Sequence, residues 1–236
     1  MAALFELLEV VPTSAVAVYA HPDDPDVACG GTLALWARRG AEVSVIVCAK
    51  GDKGSSDAST DPAELALTRS EEALAASKVL GVSGTYFLGS PDGEIEESDL
   101  RVALVGWIRR LRPEVLICPD PTAVFFGQDY FNHRDHRVVG WAALDAAAPA
   151  AASPLYFPEA GPAHSVKAAY MTGTLEPDTW VDVTSTIDLK EQSVRCHASQ
   201  LVDQSDWTIQ AVRRRAEEAG RKAGVGFAEG FRRLNL

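Results

Sequence analysis

Short apolar runs alternate along this chain with longer stretches in which apolar residues recur every three or four positions. Ala15–Ala20 and Glu42–Cys48 read as buried strands, because a continuous apolar run of that length fits a strand covered on both faces. Thr85–Leu88 and Val115–Cys118 extend the series. Between the strands the spacing predicts helices: Cys29–Arg39 closed by Gly40, a helix running to Leu80 and stopped by Gly81, and one capped by Ser98 that ends before Pro113. The second of these has a full start signal, with Asp61 as N-cap, Pro62 at N1 and Glu64 at N3. His133–Ala148 follows as a helix, then strands near Lys167–Met171 and Trp180–Val183, then helices over Asp188–Leu201 and Trp207–Ala223.

Alternation of this kind predicts the α/β class: a Rossmann-like three-layer αβα arrangement with a mainly parallel sheet and right-handed crossovers. A single domain is expected over 1–236, with a core to about residue 150 and a C-terminal layer or cap beyond it. The loop Pro119–Asn132 is the longest connection without predicted structure in the first half, and long loops inside compact domains are often functional. In an open parallel sheet, ligands bind outside the C-terminal strand ends. That rule directs attention to His21–Asp26, Ala49–Ser56, Gly89–Gly93 and Pro119–His136.

Composition narrows the function. The chain has 236 residues, 22 Lys plus Arg against 33 Asp plus Glu, and a formal net charge of -11. Such a balance argues against nucleic acid as the main partner and against a polybasic membrane anchor. The Ala-rich stretch Trp141–Ala152 is too short to span a bilayer and is broken by Asp145 and Pro149. The opening residues MAALFELLEV lack the basic start of a secretory leader. Cys29, Cys48, Cys118 and Cys196 lie far apart with no CxxC pair, so they read as reduced thiols and the expected location is the cytoplasm.

Two of the strand ends carry chemistry. His21-Pro22-Asp23-Asp24 follows the first apolar strand, and His133-Arg134-Asp135-His136 opens a helix. Histidines at i and i+3 share one helix face, and the stripe His136, Val139, Gly140, Ala143 aims that face inward over the sheet end. A catalytic zinc takes three ligands from His, Asp or Glu and keeps a position open for water. Hydrolysis adds a base for that water and a donor for the oxyanion. Taken singly, each piece has an ordinary alternative: a packed histidine, a chance HxxH, acids that cap a helix. Yet three of the five histidines fall in these two segments.

Ala20-His-Pro-Asp-Asp24 with Cys29-Gly-Gly-Thr-Leu33, followed far downstream by Asn132-His-Arg-Asp-His136, resembles the paired motifs of the LmbE-like/PIG-L family. Arg69 and Glu72, Val79-Leu-Gly81, Phe87-Leu-Gly89, Asp92-Gly93, Cys196-His-Ala-Ser-Gln200 and Ala228-Glu-Gly-Phe231 extend the likeness over nearly the whole chain. The resemblance implies a zinc-dependent de-N-acetylase acting on N-acetylglucosaminyl compounds. It implies His21, Asp24 and His136 as ligands of one zinc, and Asp23 as general base on the activated water. It implies His133 as the group that stabilises the oxyanion and serves the leaving amine. Asp135 is implied as the carboxylate that orients His133 and favours its imidazolium form. A His2Asp set also accepts Fe2+, cobalt or nickel. One departure stands out: Glu usually follows HPDD in the family, whereas Pro25 and then Asp26 stand here.

Other residues keep two readings. Arg69 sits on a core-facing stripe and either pairs with Glu72 at i+3 or reaches a substrate. Asp92, in Ser90-Pro-Asp-Gly93, is either a turn residue or an acceptor for sugar hydroxyls. Phe125, Phe126, Tyr130 and Phe131 form either a small core within their loop or an apolar wall beside the substrate, with Tyr130 a candidate contact. His197 is either a structural bond or part of a pocket wall. No phosphate-binding loop or dinucleotide fingerprint is present. The expected partner is a small N-acetyl amino sugar or conjugate, with a homo-oligomer left open. The alternatives are a zinc amidase for a larger amide, such as a thiol conjugate, and a non-catalytic sugar- or metal-binding relative.

Overall fold

The computed structural model describes residues 6–128, 130–201 and 205–236, so the opening stretch read above lies partly outside the described residues. Strands are β1 (Glu6–Leu7), β2 (Ser14–Tyr19), β3 (Glu42–Ala49), β4 (Gly84–Ser90), β5 (Val115–Pro119), β6 (Phe125–Phe126), β7 (Tyr130–Phe131), β8 (Ala168–Thr172), β9 (Thr179–Asp182) and β10 (Ala228–Asn235). Helices are α1 (Asp24–Arg38), α2 (Pro62–Leu80), α3 (Glu97–Leu111), α4 (Arg134–Asp145), α5 (Ile187–Arg195) and α6 (Ser205–Ala223).

The sheet runs β1-β9-β10-β8-β5-β2-β3-β4. Strands β8-β5-β2-β3-β4 are mutually parallel, as alternation with helices predicts. Successive side chains of β2 face opposite ways and both faces are covered: Val16 and Val18 enter the core with α3 and α4, while Ala15, Ala17 and Tyr19 enter the core with α1. Chain order reverses across β2, whose neighbours are β3 on one side and β5 on the other. That reversal opens a crevice at the C-terminal ends of β2 and β5, where His21 and the segment after Pro119 emerge.

Several sequence expectations need correction. Helix α1 begins at Asp24 rather than Cys29 and is broken at Cys29, whose φ of -143 leaves the helical range. The break strands the amides of Gly31 and Thr32, and Glu229 of β10 accepts both, at 3.0 and 2.7 Å. Sequence reading missed both the break and β10. Ser98 caps nothing; Glu96 is the N-cap residue of α3, without a side-chain cap bond. Helix α4 passes at Asp145 into a wider π-helical stretch, Ala146–Ala151, which leaves helical geometry at Ala148, where the expected helix ends, whereas α5 stops at Arg195, earlier than its apolar spacing suggested, and a single tight turn at Ala198–Gln200 follows it. The loop after β5 contains the β6–β7 hairpin, with Phe125 opposite Phe131 and Phe126 opposite Tyr130. The start of α2 is as expected: Asp61 accepts from Ala63 N at 2.7 Å and Glu64 N at 3.4 Å, and Gly81 closes the helix at φ 76.

Two buried polar clusters fix the outer segments. Arg109 is 3% exposed and donates to the carbonyls of Ala150, Ala151, Ser153, Tyr156, Phe157 and Gly161, so the irregular chain after α4 is folded around one guanidinium. Lys190 of α5 pairs with Glu229, each side chain 4% exposed. This pair ties α5, β10 and the break in α1 together. Gly31 is required there, because a Cβ would meet Val183 at 2.8 Å.

Lys190→Met would leave Glu229 charged and buried without its cation, and should lower unfolding free energy by about 3–5 kcal/mol. Urea denaturation measures it, and a loss under 1 kcal/mol would make the pair dispensable. Glu114, at the start of β5, accepts from Thr13 N and Oγ1 and from Lys167, which holds its carboxyl down at about 2. A depressed carboxyl contributes stability above its unfolded value near 4.5, and that contribution disappears as pH falls through about 2. Glu114→Gln should therefore be less stable than wild type at pH 7, with the gap closing between pH 4.5 and 2. A gap that stays constant with pH would assign it to packing.

Candidate metal centre and its surroundings

His21 follows β2 by two residues, and α1 begins at Asp24, so the chain turns sharply at Pro22-Asp23. The carboxylate of Asp24 folds back onto His21 N at 2.8 Å. His136 arrives from the first turn of α4, whose start is brought close over the end of β5. Gly140 allows that approach, since a Cβ would lie 2.5 Å from Pro119 O.

These turns bring three ligand atoms together. His21 Nδ1 lies 3.4 Å from Asp24 Oδ2 and 3.2 Å from His136 Nε2, and His136 Nε2 lies 3.2 Å from Asp24 Oδ1. Bonds of about 2.0–2.1 Å to a tetrahedral ion place neighbouring donor atoms about 3.3 Å apart. The group His21, Asp24, His136 therefore fits a metal ion with a fourth position open. Outer contacts set the rings: Asn132 Oδ1 lies 3.0 Å from His136 Nδ1, which turns Nε2 toward Asp24. Asn132 is held in turn by donating to Ala123 O.

The field at this place favours positive charge. Burial lowers the His21 pKa, but Asp135 and Asp24 outweigh it and push it up to about 10. Burial raises that of Asp24, but His136 and His21 hold its carboxyl well below the ordinary range. The His136 value is lowered by burial and raised on balance by Asp24.

The remaining expected residues surround this group, and some have other partners than sequence suggested. Arg69 pairs with Asp23, not with Glu72: its NH2 lies 2.8 Å from Asp23 Oδ1 and its NH1 donates to Gly51 O. Glu72 instead accepts from Ser199 N and Oγ at 2.7 Å each. Asp92 is buried and its two oxygens accept from Gly51 N and Lys53 N, while Oδ1 lies 4.0 Å from His21 Nε2. Tyr130 is exposed and its ring stands 5.6 Å from that of Phe126.

The carboxylate of Asp135 sits nearer His21 than His133. That group is fully buried, accepts from Gly93 N at 2.7 Å and lies 3.6 Å from His21 Nε2, nearer than its 3.9 Å to His133. The backbone amide of Asp135 donates to His133 Nδ1 at 3.2 Å, which makes His133 the side-chain N-cap of α4. With Nδ1 accepting, the ring proton belongs on Nε2. Burial and neighbouring His21 lower the His133 pKa, and Asp135 only partly offsets them, which works against the expected imidazolium form.

Sequence reasoning also left His197 undecided. The structure places it against Asp26, Nε2 to Oδ2 at 3.0 Å, with both side chains nearly inaccessible at 1% and 5%. Burial lowers the His197 pKa, but Asp26 outweighs it and raises it. Asp26 thus anchors the first turn of α1, which carries Asp23 and Asp24, to the segment after α5.

A cavity of about 610 Å3 opens beside the metal centre. Asp24 and His136 form part of its wall, joined by Tyr130 and Phe126 of the hairpin and by Val212, Arg215 and Ala216 of α6. Among the described residues, no helix is long and apolar enough to cross a membrane.

The chain is 30% identical to diacetylchitobiose deacetylase of Thermococcus kodakarensis over 90% of its own length and 79% of that protein. It is 28% identical to 1D-myo-inositol 2-acetamido-2-deoxy-alpha-D-glucopyranoside deacetylase of Rhodococcus erythropolis, over 78% and 80% of the two chains. N,N'-diacetylchitobiose deacetylase from Pyrococcus horikoshii superposes with a TM-score of 0.87 at 29% identity, over 95% of this chain and 84% of that one. The family description of GlcNAc-PI de-N-acetylases matches residues 16–147, more than half the chain, from within β2 to beyond His136 on α4. By motif, fold and extent of match, this chain belongs to the GlcNAc-PI de-N-acetylase (PIG-L) family.

Proposed function

We propose that this protein hydrolyses the N-acetyl amide of an amino sugar or N-acetylglucosaminyl conjugate, releasing acetate and the free amine. The observation that carries the reading is the set His21, Asp24 and His136 at tetrahedral spacing, flanked by the carboxylate of Asp23 and the imidazole of His133. Both relatives named above act, by name, on N-acetylated glucosamine compounds. His21, Asp24 and His136 would hold a divalent ion, for which two nitrogens and one oxygen suit zinc, and the ion would supply polarisation of the amide carbonyl and acidification of water.

The chain's own residues do the rest. Asp23, held by Arg69, takes the proton released as water adds to the carbonyl carbon, and passes it to the departing nitrogen when the C–N bond breaks. Arg69 is thus a positioning residue for the base. His133 keeps its single proton on Nε2 and donates from there to the oxygen that gains negative charge. Asp135 and Asp92 fasten the loops after β5 and β4 around His21. Tyr130 stands at the cavity wall, placed to lie along the sugar. The chain acts as one catalytic unit, since Lys190, Val212 and Glu229 line the same cavity as Asp24 and His136.

The test separates ligand from base. His136→Ala should lose the metal, read by mass spectrometry of the purified protein. Asp23→Ala should keep it while amine release falls by about 100- to 10,000-fold. Metal retained in the first variant, or activity retained in the second, would remove that residue from its role. His197→Ala should reduce kcat by about 10- to 100-fold with KM little changed, as losing a partner of the ligand-bearing turn does, and His197→Gln should recover part of it. Loss of thermal stability with kcat unchanged would leave His197 a packing residue only.

A further inference from the structure

The cavity beside the metal centre extends well beyond what an acetyl group and one sugar ring need. At about 610 Å3 it falls inside the range of about 300–1,000 Å3 that encloses a drug-sized ligand. Its outer part is built by α6 and α1, and α6 lies outside the segment that matches the family description.

The chemistry of that outer part is one-sided. Val212, Ala216 and Ala219 recur at i, i+4 and i+7 on α6 and face the cavity opposite Val27 and Ala28 of α1. Most polar groups in the wall are already used. Lys190 and Glu229 pair with each other, and Glu229 also accepts the amides of Gly31 and Thr32. Tyr19 shares its hydroxyl with Thr172 and Cys29. Asn132 is bonded at both ends. A second sugar, with a ring of hydroxyls, would find few partners there and lose hydrogen bonds to water.

Arg215 breaks the pattern. It is exposed and sits on the same face of α6, three residues after Val212 and four before Ala219. Arg213 pairs with Glu191 and Arg221 with Glu217, whereas Arg215 has no ion-pair or hydrogen-bond partner among the described residues. An unpaired cation on the wall of a cavity whose other charged side chains are engaged with one another or at the metal centre, in a chain of net charge -11, fits a ligand with an anionic end.

We infer that this cavity receives an apolar aglycone ending in an anionic group, such as an aryl carboxylate, attached to the N-acetylated sugar. The inference rests on the deacetylase reading above and adds the substrate class. Arg215 is the specificity-determining residue, and the Val212–Ala216–Ala219 face holds the apolar part.

Wild-type protein loaded with zinc is assayed for amine release from 4-carboxyphenyl N-acetylglucosaminide, phenyl N-acetylglucosaminide and diacetylchitobiose. The expected order of kcat/KM is carboxyphenyl, then phenyl, then diacetylchitobiose. Arg215→Gln should shrink the carboxyphenyl-to-phenyl ratio by about fivefold, the scale of a partly exposed ion pair, through KM. Ala216→Phe should cut turnover of both aryl compounds more than that of diacetylchitobiose. Diacetylchitobiose as the best substrate, or a ratio unmoved by Arg215→Gln, would overturn the inference while leaving the deacetylase reading intact. Failure to hydrolyse any of the three would sink the deacetylase reading. Calorimetric titration with 4-carboxyphenyl N-acetylglucosaminide would then still read the cavity. Binding weakened by Arg215→Gln supports the assignment, and no binding overturns it.

Discussion

Much of this molecule is organised around one imidazole. His21 stands at the end of the strand where chain order reverses, and three carboxylates approach it: Asp24 at 3.4 Å, Asp135 at 3.6 Å and Asp92 at 4.0 Å. Each belongs to a different connection, after β2, β5 and β4. Bare carboxylates this close repel one another strongly in a poorly hydrated crevice. Backbone amides satisfy part of the charge on Asp92 and Asp135, and positive charge at the centre, which a proton on His21 or a metal ion would supply, favours the convergence of the three loops. The push of the His21 pKa up to about 10 is the same fact seen from the proton's side.

The C-terminal layer takes part in this arrangement. A continuous α1 would satisfy its own amides, but the break at Cys29 leaves two of them for Glu229, a residue nearly two hundred positions away in sequence. Lys190 then neutralises Glu229, and His197 binds Asp26 one turn before the break. The first turn of α1 is therefore oriented from behind by α5, β10 and the segment between them. Residues that carry the proposed chemistry project from a short helical piece whose direction the rest of α1 does not set.

How much of this was legible in the sequence follows from distance along the chain. Local signals were readable: the Asp61–Gly81 helix with both its stops, the apolar strands β2, β3 and β5, and the ligand group within two compact motifs. Where a residue had a near and a far partner, sequence offered only the near one. Arg69 had Glu72 at i+3 and chose Asp23, 46 positions away, because Asp23 lies in the crevice its helix face overlooks. Strand β10 was hidden because Glu229, Gly230, Arg232 and Arg233 interrupt its apolar pattern, two of them serving buried or edge contacts that appear only after folding. His133 and Asp135 were placed correctly together, but their roles depended on which atom faces which, and a cap bond decided it.

The replacement of the usual Glu by Pro25 illustrates the same logic. Proline costs little in the first turn of a helix, where its missing N–H has no acceptor to lose. A carboxylate moved one residue onward turns through about 100° around the axis. At position 26 it faces the segment after α5, and there it meets His197 in a buried pair. A buried charge of this kind is tolerated only when matched, so the shift at Asp26 is coherent with the histidine that faces it. Support for the turn that carries Asp23 and Asp24 thus comes from the interior, while the crevice side holds Arg69, Asp23 and the group His21, Asp24 and His136.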